Sequence, residues 1–159
     1  MLFIDKIIKY LATFTALILI LLVLLVVFDA SSRYFFSAGS ITLQELEWHL
    51  FDIVILFGIP YTLQQNSHVR VDIFYASFSS KTKCIINIIG ILFFILPVSF
   101  LIIYIGVEFV ALSFSQNEIS SNPGGLEYRY LVKSLMPLSF IFLVLQSIRQ
   151  VRLELDSFK

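Results

Sequence analysis

From Leu11 to Phe28 the chain runs for 18 residues without a charged side chain. A run of that length suits the hydrocarbon thickness of a bilayer and is too long for the apolar region of a secretory signal. Lys6 and Lys9 precede it, as basic residues would in a signal, but no convincing small-x-small cleavage site follows. The reading is a retained first membrane helix over about 10–28. Asp29 and Arg33 come next at i, i+4, so they can pair if the helix continues past the bilayer, a surface pair being the plainer expectation.

Three more apolar segments follow, over about 43–64, 84–114 and 131–148. Composition agrees with a polytopic membrane protein: 58% of the 159 residues are hydrophobic, only 14% are charged, and 17 are phenylalanine. The fold class expected is an all-α integral membrane protein, one four-helix domain over 1–159. A net charge of zero gives no reason to expect nucleic acid. A single cysteine, Cys84, excludes an internal disulfide.

The second segment carries charge where charge is expensive. After the break at Ser37-Ala38-Gly39-Ser40, Thr42 and Glu45 have the spacing of a capping box, with Ile41 and Leu46 as its hydrophobic staple, which starts a helix at Leu43. Only Leu50 to Leu63 is mainly apolar. Glu45, His49 and Asp52 stand at i, i+4 and i+7 and share one face, while Glu47 points elsewhere. A charge at mid-membrane costs about 2.5–3.5 kcal/mol on insertion scales, so the stripe should face protein. It is either a cap with an interfacial belt or a docking face for other helices, the latter extended by a metal site or a proton relay. No second His or Cys cluster supports a metal. Pro60 predicts a kink, and Gly58 a close approach by another helix.

His68-Val69-Arg70-Val71-Asp72 follows a polar break, and Val71, Phe74, Tyr75 and Phe78 fit a short amphipathic helix in the interface between helices 2 and 3. The third segment would be roughly 46 Å long, more than one bilayer, with Pro97 near its middle. Glu108 near its far end is an interfacial acid or the partner of a base on another helix. Lys133, in the first turn of the fourth helix, either snorkels or reaches Glu108. Between them, Asn122-Pro123-Gly124-Gly125 has the chemistry of a tight turn with Pro at i+1 and Gly at i+2. Tyr128 and Tyr130 suit an aromatic belt.

Eight of the eleven basic residues (Lys6, Lys9, Arg70, Lys81, Lys83, Arg149, Arg152 and Lys159) fall on the side that holds both termini. The positive-inside rule places that side in the cytoplasm. No phosphate loop, HExxH or nucleophile elbow is present. A solute carrier needs polar groups near the midplane, and these four segments hold theirs near their ends. What remains is an accessory membrane subunit, with a stand-alone small membrane enzyme or channel as the competing reading.

Arg33-Tyr34-Phe35-Phe36, Leu43-Gln44-Glu45-Leu46-Glu47-Trp48-His49-Leu50-Phe51 and His68-Val69-Arg70-Val71-Asp72 resemble, in that order, the small membrane subunit of tripartite ATP-independent periplasmic (TRAP) transporters. The resemblance continues through Glu118, Asn122-Pro123-Gly124-Gly125-Leu126 and Lys133-Ser134-Leu135-Met136-Pro137-Leu138. It is nearest to the branch labelled for mannitol, chloroaromatic or keto-acid uptake. It implies a bacterial inner-membrane importer of organic acids, driven by sodium. A periplasmic solute-binding protein would capture the solute and a large membrane subunit would move it, with this subunit extending the scaffold. It implies no catalytic residue, cofactor or metal in this chain. Arg33, Glu45, Arg70 and Asp72 match recurring family positions. Together with His49, Asp52, His68, Glu108 and Lys133 they are the candidates for partner or structural contacts.

Overall fold

The structure is a computed structural model, and it describes residues 2–65 and 77–157. Four long helices hold most of these: α1 (Leu2–Phe36), α2 (Ile41–Gln64), α3 (Ser80–Ser115) and α4 (Arg129–Ser157). All four are long and apolar enough to cross a membrane, as the hydrophobic runs predict. The segment His68 to Asp72, and most of the amphipathic helix expected there, lies outside the described residues.

Two helices extend well past their apolar runs. The uncharged run in α1 sits inside a helix of 35 residues, and α4 has 29. Lipid dictates where apolar side chains must be, not where backbone hydrogen bonding stops. The flanks Leu2–Tyr10 and Arg149–Ser157 contain neither Gly nor Pro and are rich in Leu, Ile, Lys, Arg and Glu, so nothing ends the helix there. Helix α2 begins two residues before Leu43. Its N-cap is Ser40, whose side chain accepts the Leu43 N–H at 3.4 Å, and not Thr42.

Helix α3 passes its proline by widening a turn. Pro97 has no N–H to offer the carbonyl of Phe93. The preceding turn, Ile91–Ile95, is π-helical, and the Leu96 N–H reaches back to the carbonyl of Ile91. The helix resumes as α-helix over Leu96–Ser115. It ends in a Schellman motif, with Asn117 left-handed at φ 46° and the Glu118 N–H on the carbonyl of Ser113 at 3.0 Å.

The helices form a row. Helix α1 packs on α2, α2 on α4, and α4 on α3. In the most apolar stretch of each helix, 22% of α2 and 33% of α4 is buried but only 11% of α1 and of α3, so α2 and α4 are the inner pair. Phe57 of α2 and Phe142 of α4 meet edge-on at 6.1 Å, and Leu50, Phe57, Leu63 and Leu143 are buried on these two helices, as are the polar Ser139, Gln146 and Ser147 of α4. The seam between α3 and α4 is made of small residues. Ser99, Gly106 and Ser113, spaced seven apart, are buried along α3, and a Cβ on Gly106 would stand 3.2 Å from Pro137. Without a hydrophobic drive between helices in lipid, such close backbone approach supplies the attraction. Gly58 has no such role: a Cβ there meets nothing within 4 Å, so the close approach falls at Gly106 instead. Two buried hydroxyls bond their own helix, Ser99 to the carbonyl of Ile95 at 2.6 Å and Ser139 to that of Met136 at 2.9 Å.

Candidate functional site

One end of the bundle gathers the start of α2, the end of α3, the start of α4 and the loop 116–128. The expected turn forms there: the Gly125 N–H bonds the carbonyl of Asn122 at 3.0 Å, and Gly124 takes φ 81°, which favours glycine. Glu45 holds this turn down. One carboxylate oxygen accepts from the Ser120 hydroxyl and from Asn122 Nδ2 at 3.1 Å. The other accepts the Leu126 N–H at 2.6 Å. Thr42, one turn earlier, donates to the carbonyl of Gly124 at 2.5 Å. Neither side chain is available to cap its own helix, which is why Ser40 does so. Gly125 is the residue over which Glu45 passes: a Cβ there would stand 2.7 Å from the carboxylate and would collide with Ser120.

Lys133 is fixed from the same loop. Its ammonium pairs with Glu118 and lies 4.0 Å from the centre of the Phe109 ring. The bond from Lys133 holds the Glu118 carboxyl below the ordinary glutamate value of 4.5. The expected partner, Glu108, is exposed on α3 and makes no ion pair among the described residues. Glu118 takes its place because the Schellman turn brings the chain back over α4; the Arg129 N–H bonds the carbonyl of Glu118 at 3.2 Å. Tyr128 and Tyr130 sit beside it, Tyr130 edge-on to Phe114 at 5.1 Å.

Below the loop, the stripe on α2 faces protein as its spacing requires. Glu45, His49 and Asp52 line a cavity of about 500 Å³ with Phe109 of α3 and Arg129, Lys133 and Met136 of α4. Glu47 points to another cavity, of about 420 Å³, shared with Arg33 and Gln44 between α1 and α2. Glu45 and Lys133 are engaged, but His49, Asp52 and the Arg129 guanidinium form no ion pair with one another. Among the described residues no group of three or more His, Cys, Asp or Glu is placed to hold a metal ion. The Asp29–Arg33 pair forms at 2.7 Å, with Asp29 fully buried and not at the surface. His68, Arg70 and Asp72 lie outside the described residues.

A second polar tie at the opposite end has no counterpart in the sequence reading. Asp5 of α1 accepts from Arg149 Nη2 at 3.0 Å and Nε at 3.2 Å, and Gln64 Nε2 donates to the Asp5 carbonyl at 3.2 Å. This joins the start of α1 to the ends of α2 and α4. On α4, Glu154 holds the start of α3 through Asn87 at 2.8 Å and Cys84 at 3.1 Å. Each pair is far apart in the chain, and only the up-down order of four helices brings its members to one end.

Fold and site together define a small multi-pass membrane component with polar ties between its helices and loop at both ends. Over residues 22–156 the chain matches the model of the DctQ component of tripartite ATP-independent periplasmic transporters, and it belongs to that family. It is 26% identical over 145 residues to a Haemophilus influenzae protein named as a TRAP transporter small permease, covering 91% of this chain and 85% of that one. The chain is therefore a component of a transporter and not an enzyme. A tripartite system implies two partners, a large membrane subunit and a periplasmic binding protein.

Proposed function

We propose that this chain is a scaffold for the large transport subunit and binds no solute itself. The observation that carries the reading is the groove beneath the loop. It presents His49, Asp52 and Arg129, charges of both signs that form no ion pair with one another, beside Phe109 and Met136. Exposed to lipid, such groups are expensive; facing a polar stripe on another membrane protein, they are matched. The bundle's own loop already consumes Glu45, so the stripe is divided: Glu45 holds the bundle, and His49 with Asp52 meets the partner. The resemblance to the mannitol, chloroaromatic and keto-acid branch supports organic acids as the solutes and sodium as the driving ion. The basic residues support an inner-membrane orientation with both termini cytoplasmic and the loop 116–128 periplasmic. A reporter fused after Ser121 should then read outside, and an inside reading would reverse it.

The reading is tested by Asp52→Asn and Arg129→Gln in full-length chain co-expressed with its large subunit. Both variants should insert into the membrane normally and recover at least several-fold less of the large subunit on purification. Wild-type recovery in both would remove the groove from the interface.

A further inference from the structure

At the end opposite the groove, Asp5, Lys6 and Lys9 of α1, Gln64 of α2, and Arg149 and Leu153 of α4 line a cavity of about 440 Å³. The only acid among the described residues of that lining, Asp5, is spent on Arg149 and lies within reach of Gln64. Lys6 and Lys9 are exposed and make no ion pair among the described residues. Arg149 Nη1 is a buried donor without a hydrogen-bond partner among the described residues. The lining therefore carries three cations against one carboxylate, an excess of two positive charges.

Position narrows what such a site would take. Lys6 and Lys9 stand immediately before the uncharged run that begins at Leu11, which is headgroup depth for a membrane helix. Lys6, Tyr10, Phe14 and Leu17 follow i, i+4, i+8, i+11 and share a face of α1. Tyr10, Phe14 and Leu17 are all exposed, with Leu17 at 62%. A cationic cavity thus opens onto a continuous apolar strip that descends into the bilayer. Basic pockets between membrane helices suit anionic headgroups, and inner-leaflet lipids are the anionic ones.

We propose that this cavity binds the phosphodiester headgroup of an anionic phospholipid, with Lys6 and Lys9 neutralising the phosphate and an acyl chain lying along Tyr10, Phe14 and Leu17. The site requires the chain to span a bilayer with this end at the cytoplasmic leaflet, the orientation proposed above, and it requires nothing of the groove at the other end. Bound there, the lipid would bridge the start of α1 to the ends of α2 and α4.

The test uses the purified full-length chain in neutral detergent. Melting temperature and native mass are recorded with added phosphatidylglycerol, with phosphatidylcholine of the same chains, or with inorganic phosphate. Phosphatidylglycerol should raise the melting temperature and appear as a one-to-one adduct, and the other two should do neither. Lys6→Gln with Lys9→Gln should weaken phosphatidylglycerol binding about 30-fold, since each basic residue near a membrane surface contributes roughly a factor of five. Lys6→Arg with Lys9→Arg should bind as the wild type does. An equal response to phosphatidylcholine, a response to inorganic phosphate alone, undiminished binding in the glutamine variant, or lost binding in the arginine variant would each overturn the assignment.

Discussion

Glu45 links α2 to residues 75 to 81 positions further along the chain, and that distance explains what the sequence could and could not tell. Helical spacing alone put Glu45, His49 and Asp52 on one inward face and Glu47 on another. The use made of Glu45 was hidden, because a capping box and a loop latch need the same carboxylate in the same first turn. Lys133 does neither of the things its position suggests, snorkelling or reaching Glu108; the turn through the left-handed Asn117 brings Glu118 to it instead. The two latches predict different responses of the loop. Glu118 is depressed in the folded state, so its contribution is complete above the pKa it has in the unfolded chain and is lost as pH falls through the lower folded value. Protease cleavage within 116–128 should therefore stay slow near neutrality and accelerate only below the ordinary carboxylate range. In Gly125→Ala, where a methyl group displaces Glu45 and Ser120, cleavage should be fast at every pH. Equal cleavage of variant and wild type near neutrality would remove Glu45 from this role.

At the scale of elements, hydrophobic runs located four membrane helices but not their ends, since lipid constrains side chains and leaves the backbone free to continue. Prolines were legible as irregularities without being legible in kind: Pro97 is accommodated by a π-helical turn. Of the three helical glycines, Gly58, Gly90 and Gly106, the sequence points to Gly58 for close packing, and the structure uses Gly106. A usable signal was present, because Ser99, Gly106 and Ser113 repeat every seven residues and no such repeat surrounds Gly58. Gly106→Val should destabilise the bundle by about 1–3 kcal/mol through overpacking against Pro137. Gly58→Ala, with open space around it, should not destabilise it. Unfolding in a detergent titration measures both, and equal stability of Gly106→Val and wild type would mean that the α3–α4 seam is not tight.

As a whole molecule the chain is a row of four helices, latched at both ends, with its two outer helices largely uncovered. The up-down order follows from four crossings, but the row does not follow from the sequence. Every helix is apolar on most of its surface, and the polar ties between residues far apart in the chain, Asp5 with Arg149 and Glu45 with the loop, help to fix which segments meet. A bundle so arranged spends Asp5, Glu45, Glu118 and Glu154 on ties between its own segments, and we expect transport to reside in its partner. Uptake into proteoliposomes tests this most directly. Vesicles containing this chain alone should accumulate no organic acid under a sodium gradient. Those containing this chain with its large subunit, supplied with the solute-binding protein, should accumulate one. Accumulation by the chain alone would contradict the account.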